Sequence, residues 1–358
     1  MSDGLRNAKA LASTLRYSED TPWNRSVEAD SRVEAVREYF SQNALRITHE
    51  VTPALHARLA AVYGRLDIPP EAIDAYVQSS ADIQAESFTG HTTECVIRFS
   101  SALVDILDQE EFNFVAGHEI AHFLLNHGSS VHNANSLEHF MRQRSQEISA
   151  DRLGLLAGGS LDVAVKALMK TVSGLTSNHL RFDVRTFIAQ LRKPVNGSVV
   201  NNRSATHPSV FVRCKALLWF SMTKGYLATP NEWDPKELST LNARVKADFE
   251  AYVDGPIRKQ IQAAKNDYAM WSTAVDMVSD GVFTKTEQTA FGLMFGSATL
   301  EKFRNFLKEL ARGDVQEAVT QRMNHARREL AELIPETVDS EVERISISVR
   351  SSKYRAEG

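Results

Sequence analysis

The stretch 117-GHEIAHFLLNHG-128 decides how this chain is read. His118 and His122 stand four residues apart, with Glu119 directly after the first. On a helix, residues at that spacing lie one above the other on one face, so two imidazoles can meet one ion. Glu119 falls on the adjacent face, near such an ion without necessarily ligating it. This is the H-E-x-x-H arrangement for zinc, in which the glutamate can take a proton from a metal-bound water. Zinc lowers the pKa of that water from about 15.7 towards 7, so hydroxide becomes available at neutral pH. The same pattern also arises by chance on unrelated helices. Here the flanking residues Val115, Ala116, Ile120, Ala121, Phe123 and Leu124 are apolar and point to a buried helix. Two histidines and a glutamate on a buried helix are costly unless they are paired or hold a metal.

A catalytic zinc needs a third protein ligand and an open fourth position. The candidate lies in 147-EISAD-151, where Glu147 and Asp151 are again four apart on one helix face. Glu147 can ligate the ion. Asp151 can accept a hydrogen bond from a ligand histidine and so fix its tautomer. Ala150 is small and would let the second helix approach the first closely. Ile148, Leu153, Leu155 and Leu156 surround the two acids and argue against a solvated charge pair.

The punctuation around these motifs is helical. Asp108 with Glu111 forms a capping-box pattern ahead of residues 112–127, and Gly128 is a natural stop. Asn135 with Glu138 repeats the pattern ahead of 137–157, which runs into Gly158 and Gly159; Ser160 opens a third helix at 161–175. Thr52 can cap a helix whose first turn holds Pro53. The β-branched and aromatic run 94-ECVIRFSS-101 reads as a strand. Residues 31–42 read as a helix within an otherwise polar N-terminus, 194–209 as a loop, 229-TPNEWDP-235 as a linker, and 344-RISISVR-350 alternates like a short strand.

Three ordered segments resemble one family. They are 97-IRFSSALVDILDQEEFNFVAGHEIAHFLLNH-127, 147-EISADRLGLLAGG-159 and 206-THPSVFVR-213. Together they are similar to the HtpX-type zinc metallopeptidases, peptidase family M48, over roughly residues 48–220. The resemblance implies an α+β, mostly helical fold: a zincin-like (gluzincin) core with an active-site helix pair and a small sheet. It implies one Zn2+ per chain on His118, His122 and Glu147, with Glu119 as general base. Asp151 and Arg213 would support the ligands, and His207 would contact the oxyanion of the tetrahedral intermediate. His127 matches a histidine often found at the end of the family's first motif helix and is expected to be structural. His132 and His139 have no motif support and are expected at the surface. The family's Asn-Ala pair before the substrate-side strand is replaced here by Gln84-Ala85. By position in the family order, residues 94–101 would be the edge strand along which substrate extends.

Composition agrees with such a protein. Of 358 residues, 43% are hydrophobic and 24% charged, and the net charge of −4 gives no reason to expect nucleic acid or an anionic membrane as partner. No apolar run is long enough to span a bilayer, and no signal-peptide core opens the chain. Two cysteines, Cys95 and Cys214, fit a reducing compartment, so a cytoplasmic location is expected.

The expected organisation is an N-terminal helical extension over 1–47, a metallopeptidase domain over 48–226 and a C-terminal helical domain over 227–358. In the last, 276-DMVSDGVFTKTEQ-288 lacks the alternating oxygen ligands of a calcium loop, because Val278 and Val282 occupy ligand places. It bears a short resemblance to the TerB-like helical domain. Phe291, Leu293, Met294, Phe295, Phe303, Phe306 and Leu307 are expected to form its core. The functional expectation is a zinc metalloendopeptidase acting on protein or peptide substrates. It could be latent until a regulatory partner binds the flanking helices. Two alternatives stand beside it, an inactive zinc-bound scaffold and a repressor-cleaving peptidase.

Overall fold

The computed structural model describes residues 2–17, 28–89, 94–127, 136–190, 208–227, 233–310 and 314–356. The chain divides into two compact units, one of residues 1–134 and 140–252, the other of 135–139 and 253–358. The sequence reading drew its boundaries at 47 and 226 instead. The first unit opens with helices α1 (Asp3–Leu15) and α2 (Glu28–Asn43), strand β1 (Leu45–Arg46) and α3 (Pro53–Leu66). Strands β2 (Ile73–Gln78), β3 (Ala85–Thr89) and β4 (Cys95–Ser100) follow. Then come α4 (Ser101–Ile106), α5 (Gln109–Leu124), α6 (Leu137–Gly158), α7 (Leu161–Ser173) and α8 (Val184–Gln190). The unit ends with α9 (Val210–Ser221), α10 (Lys224–Leu227) and α11 (Pro235–Phe249). The fold is mostly helical α+β around one four-stranded mixed sheet.

The sheet order is β1-β2-β4-β3. β4 runs parallel to β2, with Ile97 opposite Ala75, and antiparallel to β3, with Ile97 opposite Ser87. Residues 94–101 therefore do not provide the edge. Every residue of β4 is buried, and the strands at the ends of the sheet are β1 and the half-exposed β3. Gln84 and Ala85 stand at the start of the β3 edge.

Helix α5 is the hub. Its Asp108 capping box forms as read: Asp108 Oδ1 accepts from Glu111 N–H at 3.0 Å, and Glu111 Oε2 accepts from Asp108 N–H at 2.9 Å. The same Glu111 carboxylate is buried and pairs with Lys170 Nζ at 2.6 Å, which also donates to Ile106 O at 2.9 Å. This joins α4, α5 and α7. Ser160 caps α7 through Val163 N–H. Thr52 stands at the N-cap of α3 with Pro53 after it, but its hydroxyl does not cap. It donates to Thr48 O and accepts from Thr48 N–H instead.

Two glycines sit at the close approach of α5 and α6. A Cβ added to Gly117 would stand 2.3 Å from Ala157 Cβ, and one added to Gly154 would stand 2.9 Å from Phe114 O. Only bare backbone fits at either point.

The N-terminal helix packs into the core of the first unit. Helix α1 was not read from the sequence, yet Leu5, Ala8, Ala12 and Leu15 form a 3–4–3 apolar face buried in the main core, followed by Tyr17. Leu15 O accepts from Arg152 Nη1 at 2.9 Å, Tyr17 N–H donates to Ser149 Oγ at 2.9 Å, and Arg16 donates to Leu125 O at 3.1 Å. Helix α11 shares this core through Leu238, Leu241, Val245 and Phe249, so the first unit extends beyond residue 227.

The second unit contains α12 (Gly255–Met277), α13 (Lys285–Phe295), α14 (Ser297–Lys308), α15 (Val315–Leu333) and α16 (Val338–Ala356). The turn before α13 ends in a capping box between Thr284 and Glu287. Phe291 and Phe303 are buried, and Met294, Phe295, Phe306 and Leu307 pack on them; Leu293, expected in this core, is 81% exposed. Residues 344–350 are helical, not a strand. Ile345 and Val349, four apart on α16, are buried in one cluster with Tyr268 and Leu330, and Ile347 between them is exposed. His139, expected at the surface, is buried. The expectations for Gly128, His132, Asn135, residues 194–207 and most of the linker lie outside the described residues.

Candidate metal centre

His118 and His122 come from α5, and Glu147 and Asp151 from α6. The glycine contacts that draw the two helices together bring these side chains to one point. His118 Nε2 lies 3.2 Å from His122 Nε2. Glu147 Oε2 is 3.4 Å from His118 Nε2, and Glu147 Oε1 is 3.4 Å from His122 Nε2. Four ligands about 2.05 Å from a shared centre stand about 3.3 Å apart in a tetrahedron. The spacing of the three donors is therefore that of a zinc-sized ion's ligand shell. Among the described residues this is the one cluster of its kind.

The hydrogen bonds behind the ligands agree with a cation in front of them. His118 Nδ1 is 3.0 Å from Asp151 Oδ1. A carboxylate can only accept, so His118 keeps a proton on Nδ1, and the neutral ring turns an Nε2 lone pair towards His122 and Glu147. Arg213 donates to both Asp151 oxygens, at 2.8 Å from Nε and 2.6 Å from Nη2, and its Nη1 is 3.5 Å from Glu147 Oε2. On the other side, His127 Nδ1 is 2.9 Å from His122 Nδ1. Lone pairs and a carboxylate converging in a buried recess need a positive charge between them.

Burial, the largest single influence, lowers the pKa of His118, but the Glu147 carboxylate and the Asp151 hydrogen bond outweigh it and raise it to about 10 in the metal-free site. Burial pushes Asp151 up, and Arg213 and His118 more than offset this, holding it below the usual carboxylate range. Both cysteines are buried free thiols. Burial pushes Cys214 up to about 12 and raises Cys95 as well, so neither is an activated nucleophile.

Glu119 is buried and lines, with His118, Glu147 and Arg213, a cavity of about 290 Å³. Gln84 and Ala85 at the start of the β3 edge form one wall; Leu103, Phe114, Val115, Leu168 and Val210 make much of the rest apolar. Pro208 reaches this cavity, while His207 lies outside the described residues.

Of the residues singled out in the sequence, the structure thus brings together His118, Glu119, His122, Glu147, Asp151 and Arg213. What the sequence reading did not anticipate is the contact of His127 with a ligand histidine. Five-residue spacing on a helix gives no such signal; the clue was Asn126, a residue that tolerates left-handed backbone.

Comparison with known proteins gives one match. The family model described as Peptidase family M48 covers residues 50–142. It takes in His118, Glu119 and His122 and stops before Glu147. No curated protein and no solved structure gives a significant match. Among the described residues no helix is long and apolar enough to cross a membrane. Over residues 50–142, the segment that carries its α5 histidines, the chain is similar to peptidase family M48.

Proposed function

We propose that the protein is a zinc-dependent metalloendopeptidase whose metal is held by His118, His122 and Glu147. The observation that carries this reading is the meeting of three donors from two helices at 3.2–3.4 Å, beside a glutamate that faces a cavity. Bound zinc would supply Lewis acidity and a water of lowered pKa. The chain's own residues do the rest. Glu119, next in sequence to a ligand and lining the cavity, is positioned to take the proton from the attacking water and return it to the leaving amine. Asp151 and Arg213 hold the His118 ring with its Nε2 forward. The open edge of β3, at the cavity wall, offers main-chain hydrogen bonds to an extended peptide. His207 is assigned the oxyanion contact on the family resemblance, because a donor aimed at developing negative charge is often the largest catalytic contribution. The two buried free thiols fit a reducing compartment, and the cytoplasm is the proposed location.

The test uses Glu119→Gln in the full chain, with fluorescently labelled casein as probe and zinc content measured on the same sample. Zinc retained with cleavage reduced at least about a hundredfold supports Glu119 as the base. Cleavage at the wild-type rate by the zinc-loaded variant refutes it.

A further inference from the structure

We propose that His127 is the positioning residue for His122: it accepts the Nδ1–H of that ring and so presents the Nε2 lone pair to the metal, as Asp151 does for His118. This rests on the metallopeptidase reading and deepens it, since it assigns the second orienting contact of the same site.

Spacing alone argues against any meeting of the two histidines. On a continued α-helix, five residues advance by about 500°, which leaves the side chains about 140° apart. The chain instead stops and reverses. Helix α5 ends at Leu124, and Asn126 adopts the left-handed conformation with φ 60°. Asn126 N–H then donates to Phe123 O at 3.2 Å and His127 N–H to His122 O at 2.8 Å. These two reversed bonds are the Schellman arrangement, which folds the residue after the left-handed one back over the last turn. His127 consequently meets His122 twice, once by backbone and once by ring. The rings stand 5.0 Å apart at 67°, with the two Nδ1 atoms at 2.9 Å.

A contact of that length between two imidazole nitrogens needs one proton between them. The direction follows from the other side of the His122 ring. Its Nε2 faces His118 Nε2 at 3.2 Å and Glu147 Oε1 at 3.4 Å. When Nε2 is committed to a metal, the neutral ring has its only proton on Nδ1. His122 therefore donates, and His127 accepts with its own proton on Nε2. Each of the two ligand imidazoles is then held from behind, His118 by a carboxylate from α6 and His122 by the C-terminal turn of its own helix.

The experiment measures zinc affinity of the full-length, metal-free protein by competition with a chromophoric chelator. Three variants are compared with wild type: His127→Leu, which removes the acceptor at similar bulk; His127→Asn, whose Oδ1 falls near the position of Nδ1; and His127→Lys, which offers donors only. The expected result is a loss of about 10–100-fold in zinc affinity for the leucine and lysine variants. The asparagine variant recovers most of it, and metal-free melting temperatures stay together. If the leucine variant does not fold, the lysine and asparagine pair gives the same discrimination. Wild-type affinity in the leucine or lysine variant overturns the proposal and leaves the metal site standing. Equal weakening in the asparagine variant also overturns it, because the role is then packing. A wild-type protein that takes up no zinc fails the metallopeptidase reading itself.

Discussion

Replacing Gly117 with alanine tests whether the two ligand-bearing helices meet as closely as the site requires. In an ordinary helix interior this change stabilises by roughly 0.5–1 kcal/mol, because glycine has more backbone freedom to lose. Here the sign should reverse. The new Cβ would stand 2.3 Å from Ala157 Cβ, 3.3 Å from Gly154 Cα and 3.4 Å from Leu153 O. Carbon pairs prefer about 3.5–4.0 Å, so the helices must part by roughly 1 Å or more. Neither partner can yield by rotation, since an alanine methyl and a helix backbone have no alternative rotamer. Overpacking of this kind costs about 1–3 kcal/mol. The effect on the site is sharper, because metal sites tolerate only about 0.2 Å in ligand distance and Glu147 sits on the displaced helix. Gly64, exposed in α3, is the control: a Cβ there meets nothing within 4 Å. Urea denaturation of the metal-free variants should therefore rank Gly64→Ala above wild type and Gly117→Ala below Gly64→Ala by about 1–3 kcal/mol. Zinc uptake should be lost in Gly117→Ala alone. If Gly117→Ala matches Gly64→Ala in stability and binds zinc like wild type, the close approach is not what assembles the site.

Two further outcomes follow from named contacts. In the metal-free site the His118 pKa is raised to about 10, above the ordinary 6.5, so zinc must displace a proton at neutral pH. Zinc affinity should rise with pH by about tenfold per unit between about 6.5 and 10, and calorimetry in buffers of different ionisation heat should detect the proton released; affinity independent of pH over that range would contradict it. The same sign means that the proton's contribution to metal-free stability is present below 6.5 and lost as pH rises through about 10. Removing residues 2–17 should abolish folding rather than release activity, since burying Leu5, Leu15 and Tyr17 contributes about 1.5–3 kcal/mol each and three hydrogen bonds bind this segment to α5 and α6. A folded truncation with increased casein cleavage would show instead that the segment is inhibitory.

The sequence by itself determined the pieces whose physics is local. Helical periodicity stacks His118 on His122 and aligns Glu147 with Asp151. The Asp108–Glu111 box starts α5 through bonds that span three residues. The local motifs named His118, Glu119, His122, Glu147 and Asp151, and the family resemblance added Arg213. Local pattern misled where two periodicities compete: 344-RISISVR-350 alternates like a strand, yet the apolar pair Ile345 and Val349 also fits a helix, and packing on Tyr268 and Leu330 selects the helix. Only the tertiary structure decided which strand is the edge, because strand order depends on partners distant in sequence, and β4 is paired on both sides by β2 and β3. It alone showed that helix α1 is built into the core. It also turned a histidine at unhelpful spacing into a neighbour of a ligand, through one left-handed residue at Asn126. Finally, two motifs about a loop apart could have made two unrelated helix faces. Gly117 and Gly154 bring them into one metal-sized recess, because their missing side chains leave room for Ala157 and Phe114 of the facing helix.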